Sequence, residues 1–161
     1  MIVWFILGPI GAGKTTFITS CIKQKKHFGA VYLSADVIMK KYNMSYLDAR
    51  NKMETIINEH IAENKSFITE GTGQHNDLFD WFVSFADNKN IELKLTYIDV
   101  DLDVAMERNK KRERVLPDDV VIGVYEKSLI NRHLWEKFGC EYISYKDLLQ
   151  DEKELDLTDN W

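Results

Sequence analysis

The residues best suited to chemistry lie near the start of the chain, where Gly8 to Thr15 read GPIGAGKT. Their spacing matches the pattern G-x-x-x-x-G-K-[ST] in full. Glycines let backbone N–H groups wrap around anionic oxygens, and a following helix adds a positive partial charge at its N-terminus. Lys14 supplies a cation for the β- and γ-phosphates, and the Thr15 hydroxyl can bind Mg²⁺. The segment therefore predicts a site for ATP and Mg²⁺, contacted by Gly8, Gly11, Ala12, Gly13, Lys14, Thr15 and Thr16.

Asp36 follows the apolar segment Ala30–Ser34, which reads as a short buried strand. Folds that alternate strands and helices bind ligands at the carboxyl ends of their strands, so this carboxylate should lie at the site. An Asp in that place can accept the proton of an attacking hydroxyl. The alternative is that Asp36 caps a helix over residues 37–41.

Glu70 is a second carboxylate at the end of an apolar segment, here Ser66–Thr69, and Gly71 and Gly73 beside it permit close approach of a ligand. We expect it to hold a Mg²⁺-bound water or a substrate hydroxyl. The alternative is an ordinary loop carboxylate.

A basic run covers residues 108–114, with five cations against one acid. Arg108 and Arg112 are four residues apart, so on a helix they would share one face. Two guanidinium groups there can close over the β- and γ-phosphates and neutralise the charge that develops during transfer, which is worth roughly 10³–10⁵ in rate for one such arginine. The alternative is a solvated helix face.

Elements that would position these residues alternate along the chain. Apolar segments predict five strands, at Ile2–Leu7, Ala30–Ser34, Ser66–Thr69, Ile91–Val100 and Cys140–Ser144. Helices are expected between them, at about residues 13–24, 45–64, 77–87, 101–114 and 117–137. This order predicts an α/β, three-layer P-loop NTPase fold. It has a mainly parallel five-stranded sheet, helices on both faces and a helical lid.

Two helix starts carry local signals. Ser45 and Asp48 form a capping box that opens the second helix, and Asp101 is expected to cap the helix with the basic run. The apolar residues of the second helix fall within one half of the helical wheel, which predicts a buried face. They are Leu47, Met53, Ile56, Ile57 and Ile61.

Composition bounds the remaining choices. The chain has 161 residues, 45% of them hydrophobic, and a net charge of -5, which suits one domain with a real core. Residues 150–161 hold five acids and one lysine, so we expect a kinase domain over residues 1–149 followed by an acidic C-terminal tail. Two cysteines, no apolar run of about 18 residues and no signal-peptide pattern predict a cytoplasmic protein without a membrane segment.

Two large classes of nucleotide-binding protein are excluded by motif. A GTPase would show N-K-x-D and D-x-x-G patterns, and neither occurs in the sequence. Transport ATPases and ring-forming motors have longer chains and further signatures. A small phosphoryl-transfer kinase remains, with Lys14, Asp36, Arg108 and Arg112 as its catalytic residues and Thr15 and Glu70 as metal-binding residues.

Over residues 1 to about 145, the chain resembles the kinase domain of the phage-type 5′-polynucleotide kinases. The resemblance rests on the P-loop, Asp36, the segment RNKKR from Arg108 to Arg112, and Leu116-Pro117 with Val120 and Tyr125 behind it. It implies that Asp36 is the general base and that the two arginines form a lid over the phosphates. The acceptor it implies is a hydroxyl of a nucleic acid, DNA rather than RNA.

Two positions depart from that family. Met39 stands where the family has an arginine that holds a phosphate of the polynucleotide, with Lys40 beside it. Glu70-Gly71-Thr72 resembles instead the zeta-toxin and antibiotic-kinase branch, which phosphorylates small molecules. The residues expected to face the acceptor are Met39, Lys40, Glu70, Thr72 and His75.

Three functions follow from these residues. The leading hypothesis is a kinase that moves the γ-phosphoryl of ATP to a 5′-OH end or a hydroxymethylated DNA base. The first alternative is a small-molecule kinase for sugar nucleotides or antibiotics. The second is a nucleotide-binding regulatory module without transfer activity. No obligate protein partner is expected under any of them.

Overall fold

A computed structural model describes residues 1–74, 76–112 and 114–148, and for residues 76–79 it describes the backbone alone. Five strands form one sheet: β1 (Ile2–Leu7), β2 (Val31–Leu33), β3 (Phe67–Gly71), β4 (Glu92–Asp99) and β5 (Glu141–Ser144). Their order is β2-β3-β1-β4-β5, and every pairing is parallel. The predicted fold class is confirmed.

Within the described residues, six helices lie between consecutive strands and cover both faces of the sheet. They are α1 (Lys14–Lys23), α2 (Ala35–Tyr42), α3 (Tyr46–Ala62), α4 (Asn76–Ala86), α5 (Leu102–Lys110) and α6 (Asp118–Glu136). No helix in the described part of the chain is both long and apolar enough to span a bilayer.

β1 is the central strand, and its sequence explains that place. The strand is apolar at every position because both of its faces are covered. Val3, Phe5 and Leu7 are buried on one face in a core that also holds Phe67 and Trp135. Trp4 and Ile6 are buried on the other face, with residues from α1, α5 and β4. Burial from both sides fixes the register of β1 against its neighbours.

The start of α3 follows the predicted capping box. The Ser45 hydroxyl oxygen accepts a hydrogen bond from the backbone N–H of Asp48 at 3.2 Å. Along the helix, Ile57 is buried and Met53, Ile56 and Ile61 are partly buried against the core, as the apolar pattern predicted. The prediction is wrong for Leu47, whose side chain is 69% exposed because the first turn extends beyond the core.

One helix cap, one helix end and one strand end differ from the predictions. Asp101 holds the predicted N-cap position of α5, but its side chain makes no capping bond; its carboxylate accepts a hydrogen bond from the Tyr145 hydroxyl at 3.0 Å. α5 ends at Lys110, so Arg112 lies beyond the helix and the expected shared face with Arg108 is wrong. β3 extends to Gly71, which places Glu70 within the strand rather than after it.

Because all five strands run in the same direction, their carboxyl ends meet at one edge of the sheet. β1 leads there into the glycine-rich segment before α1, and β2 leads into α2. β3 leads into residues 72–74, and β4 into α5. The predicted functional residues come from these four junctions.

Candidate functional site

A cavity of about 1080 Å³ lies at the carboxyl edge of the sheet. Its walls come from the glycine-rich segment, the start of α2, the first turns of α3, the end of β3 and the region around the end of α5. The volume lies at the upper end of the range for small-molecule sites, so it is large enough for a nucleotide and part of an acceptor.

The glycine-rich segment is built on backbone conformations that only glycine adopts without strain. Gly11 has φ 79, and a Cβ there would lie 2.7 Å from the carbonyl oxygen of Ala105 in α5. Gly13 has φ 97 and turns the chain directly into α1. These turns place the first N–H groups of a ten-residue helix at the cavity, which is the arrangement that binds phosphate oxygens.

Lys14 is the first residue of α1, and its side chain folds back onto this segment. Its Nζ donates hydrogen bonds to the carbonyl oxygens of Gly8 at 2.8 Å and Pro9 at 3.0 Å. Burial and the nearby Arg112 lower the pKa of Lys14, the carboxylates of Glu70 and Asp36 oppose that shift, and the net result is a pKa of about 8. The four groups therefore act on one another electrostatically, and Lys14 is still a cation at neutral pH.

Arg108 and Arg112 both line the cavity, although they belong to different elements. Arg108 is in the last turn of α5, and its Nη1 donates a hydrogen bond to the Gly11 carbonyl at 2.9 Å. Its guanidinium also lies 5.5 Å from the ring centre of Tyr145. Arg112 reaches the same cavity from the turn after α5. The two guanidinium groups can thus approach one phosphate chain from two different parts of the backbone, α5 and the segment that follows it.

Asn109, between these arginines, is a residue that sequence reasoning missed. It is fully buried, and its Nδ2 donates to the Leu116 carbonyl at 2.8 Å while its Oδ1 accepts from the Leu116 N–H at 3.2 Å. This pair of bonds closes the turn that carries Arg112. Asn109 belongs to the segment RNKKR, but an asparagine in a basic run is typical of an exposed position, so the sequence does not predict that it is buried.

Thr15 and Glu70 provide neighbouring oxygens. The Thr15 hydroxyl lies 3.5 Å from a carboxylate oxygen of Glu70, whose other oxygen accepts a hydrogen bond from the Tyr32 hydroxyl. Burial, together with the Glu70 charge, raises the pKa of Tyr32 well above its ordinary value, so it stays a donor. Mg²⁺ takes few protein oxygens and completes its shell with phosphates and water, so this hydroxyl–carboxylate pair fits it.

Asp36 lies in the first turn of α2 and lines the cavity with its side chain exposed. The alternative role as a helix cap is wrong, because Ser34 holds the N-cap position of α2. Asp36 stands on the β2 side of the sheet, and the glycine-rich segment follows β1, two strands away. A carboxylate is therefore available at a distance from the phosphate-binding backbone.

The remaining predicted residues divide into three groups. Thr72 and Thr16 line the cavity, whereas Gly8, Ala12, Met39 and Lys40 lie outside its lining. His75 lies outside the described residues, as does the acidic segment 150–161. Asp99, the last residue of β4, forms an ion pair with Arg132 at 2.8 Å and is also outside the cavity lining.

One wall of the cavity was not predicted. It comprises Tyr46, Leu47, Arg50 and Asn51 of α3, together with Trp81 of α4. The apolar pattern assigned Leu47 to the core, so periodicity alone could not separate core contacts from cavity contacts.

Several solved structures share the fold. A chain of the Pnkp1/Rnl/Hen1 RNA repair complex aligns over 82% of this chain with a TM-score of 0.68 and 14% identity, and this chain spans 45% of it. A chain of the PezAT chromosomal toxin-antitoxin system of Streptococcus pneumoniae aligns over 89%, with a TM-score of 0.60 and 16% identity, and 68% of that chain is covered. Shikimate kinase from Bacteroides thetaiotaomicron has a TM-score of 0.59 and 17% identity, over 96% of this chain and 97% of its own.

At these identities the structural likeness defines the fold. The sequence comparison defines the family, since the family model described as an AAA domain (AAA_33) matches residues 3–129, most of the chain. The chain belongs to this AAA-domain family, whose members have a P-loop kinase-like fold.

Proposed function

We propose that this protein is an ATP- and Mg²⁺-dependent kinase that transfers the γ-phosphoryl group to a hydroxyl of a nucleic acid. The acceptor is a 5′-OH end or a hydroxymethylated base. One observation carries the proposal: a single cavity is lined by the glycine-rich segment, by Lys14, Arg108 and Arg112, and by the carboxylate of Asp36. Phosphoryl transfer needs a phosphate cradle, cations and an acceptor-side base together.

Each residue has a defined part in the reaction. The Asp36 carboxylate takes the proton of the acceptor hydroxyl, and the resulting oxygen bonds to the γ-phosphorus while the bond from that phosphorus to the β,γ-bridging oxygen breaks. Lys14, Arg108 and Arg112 stabilise the negative charge on the transferring group and on the departing ADP. Mg²⁺ held at Thr15 and Glu70 adds charge neutralisation when it is bound.

Support for a nucleic-acid acceptor comes from the cavity wall on α3 and α4. Tyr46 and Trp81 present aromatic rings, Leu47 an exposed apolar side chain, and Arg50 a cation. Bases stack on aromatic side chains, and phosphates bind to guanidinium groups. The fold likeness to a chain of an RNA repair complex agrees with this choice.

A second candidate is a small-molecule kinase. It is favoured by the segment Glu70-Gly71-Thr72, which lines the cavity, and by the full-length structural likeness to shikimate kinase. Both candidates use the same transfer chemistry and differ only in the acceptor.

The test is to offer γ-labelled ATP with 5′-OH DNA, 5′-OH RNA, hydroxymethyl-base DNA and sugar nucleotides in parallel. We expect label on a nucleic acid. Label on sugar nucleotides alone would replace the proposal by the small-molecule candidate. Binding of ATP without transfer to any acceptor would favour a regulatory module.

Asp36→Asn supplies the matching check on mechanism. It should lower turnover by about 10²–10⁴ while the affinity for ATP stays unchanged, because a general base acts on the acceptor. Asp103→Asn is the control, since Asp103 occupies the same first-turn position in α5, is exposed and lies outside the cavity lining. Full turnover in Asp36→Asn would remove Asp36 from the base role.

A further inference from the structure

One wall of the cavity consists of residues that the transfer chemistry does not use. Tyr46, Arg50 and Glu54 of α3 follow one another at intervals of four, and Leu47 and Asn51 lie one position further on. Residues four apart lie on the same face of a helix, so the first turns of α3 present one stripe to the cavity. We call this stripe, with Trp81 of α4, the acceptor wall.

The apolar members of the acceptor wall are exposed where a core role would bury them. The Tyr46 side chain is 48% exposed and Leu47 is 69% exposed, although both lie at the start of a well-capped helix. Trp81 is only partly buried and also lines the cavity. Flat and apolar side chains exposed inside a cavity are the groups that pack against the ring of a ligand.

Arg50 is the charged group that distinguishes this wall. Within the described residues, no carboxylate forms an ion pair with Arg50, even though Glu54 lies one turn away. Lys14 and Arg108, in contrast, donate hydrogen bonds to carbonyls of the glycine-rich segment. Among the described residues, Arg50 is therefore a cation of the cavity that forms no ion pair with a carboxylate and no hydrogen bond with the phosphate-binding segment.

We propose that the acceptor wall binds a nucleotide unit of the acceptor whose phosphate lies beside the reactive hydroxyl. Arg50 binds that phosphate, and Tyr46, Leu47 and Trp81 pack against the base. A guanidinium suits this task because its planar donors match two phosphate oxygens at once. The inference rests on the proposed kinase function and specifies its acceptor as anionic.

The test measures binding with the phosphate-binding segment already filled. The full chain is saturated with ADP and Mg²⁺, and the affinities of thymidine 3′-monophosphate and thymidine are measured by titration calorimetry. We expect the monophosphate to bind about tenfold more tightly, as one charge-assisted contact allows. Arg50→Gln should abolish this difference.

Lys52→Gln is the matched control, because it removes the same charge from the same helix. Lys52 lies outside the cavity lining, with its Nζ 4.5 Å from the ring centre of Tyr42, so the difference between the two probes should persist. Equal affinities in the unmodified protein, no binding of either probe, or an equal loss in Lys52→Gln would each overturn the inference.

A transfer assay separates this inference from the proposed function. Arg50→Gln should raise the KM for the acceptor about tenfold and leave the KM for ATP unchanged. An unchanged acceptor KM with normal turnover would refute the role of Arg50 and leave the kinase standing. Selective binding of the monophosphate without transfer to any acceptor would refute the kinase and leave the binding site standing.

Discussion

Lys14 is placed so that its charge state matters within the ordinary range of enzyme assays. Burial lowers its pKa from 10.5 to about 8, and two carbonyl oxygens of the glycine-rich segment accept its hydrogen bonds. An ammonium at this place attracts phosphate oxygens, whereas the neutral amine does not. The affinity for a nucleoside triphosphate should therefore depend on the protonation of this one group.

We predict that the affinity for ATP is constant below about pH 8 and weakens as the pH rises further. Since the pKa of Lys14 in the folded protein is about 8, its charged fraction falls about tenfold per pH unit above that value. Calorimetric titration between about pH 7 and pH 10 measures the profile. Lys14→Met should bind weakly at every pH. The prediction fails if the profile of the unmodified protein is flat, or if Lys14→Met keeps the same slope.

At the level of residues, motifs and their spacing predicted the cavity residues better than the apolar pattern predicted burial. Lys14, Asp36, Glu70, Arg108 and Arg112 were all identified from motifs or from their place after a strand, and all line one cavity. Their roles in catalysis are still predictions. No motif contains Arg50, and Asn109 lies in the basic run without any sign that it is buried. Their significance depends on which distant element they face.

At the level of elements, the end of α5 supports the two arginines in different ways. Arg108 is held by the helix and by the Gly11 carbonyl, whereas Arg112 depends on the turn that Asn109 closes through Leu116. The Arg112 N–H also donates a hydrogen bond to the Asn109 carbonyl at 3.1 Å, so the backbone and the side chain of Asn109 both hold the chain next to Arg112. α5 itself ends at Lys110, before Arg112.

We predict that Asn109→Ala lowers turnover through Arg112 and also lowers the free energy of unfolding by about 1–3 kcal/mol. The backbone groups of Leu116 lose their partners, and buried unpaired groups cost about that much. Turnover and thermal denaturation are measured on the same samples. Arg112→Ala should reproduce the loss of turnover with little change in melting temperature.

Lys111→Ala controls for charge in the same part of the chain, because the ion pair that Lys111 forms among the described residues, with Glu107, is exposed. It should change neither measurement appreciably. If Asn109→Ala melts earlier but turns over normally, the amide holds the fold together without positioning Arg112.

The contact between the glycine-rich segment and α5 allows a second prediction at this level. Gly11 and Gly29 have similar positive φ values, 79 and 72, but a Cβ on Gly11 would meet backbone atoms of Ala105 at 2.7 and 3.0 Å. A Cβ on Gly29 would meet nothing within 4 Å. Gly29→Ala should therefore cost about 1–2 kcal/mol for the left-handed conformation alone.

Gly11→Ala should cost clearly more than Gly29→Ala and should also weaken ATP binding, because backbone atoms cannot rotate out of the way as a side chain does. Urea denaturation gives both free energies of unfolding, and calorimetry gives the affinity. Equal losses in the two variants would mean that the segment and α5 separate easily.

For the whole molecule, the alternation of strands and helices was sufficient to predict the parallel sheet, because each apolar strand must be covered on both faces. The ends of the helices were harder to predict than their order. Leu47 and the end of α5 were misplaced, since periodicity cannot show where a helix leaves the core or where a buried amide begins a turn. Both errors occurred at the cavity, where ligand contacts replace core contacts.

Charge also differs between the whole molecule and the site. The net charge is -5, yet among the described residues four cations line the cavity against three carboxylates: Lys14, Arg50, Arg108 and Arg112 against Asp36, Glu54 and Glu70. We propose that the kinase domain covers residues 1–149 and that the acidic residues 150–161 are not part of it. Such a distribution favours a protein that binds phosphates at one place over one that binds along a duplex.

The strand order has a consequence for how such proteins diversify. β2 and β1 are separated by β3 alone, and neighbouring strands lie about 4.8 Å apart, so the points where Asp36 and the glycine-rich segment leave the sheet are about 10 Å apart. Backbone hydrogen bonds set this interval, and no surface side chain enters into it. Substitutions along α3 can then exchange one acceptor for another while the reacting groups keep their separation. New specificities can arise on this scaffold without rebuilding the machinery that moves the phosphoryl group.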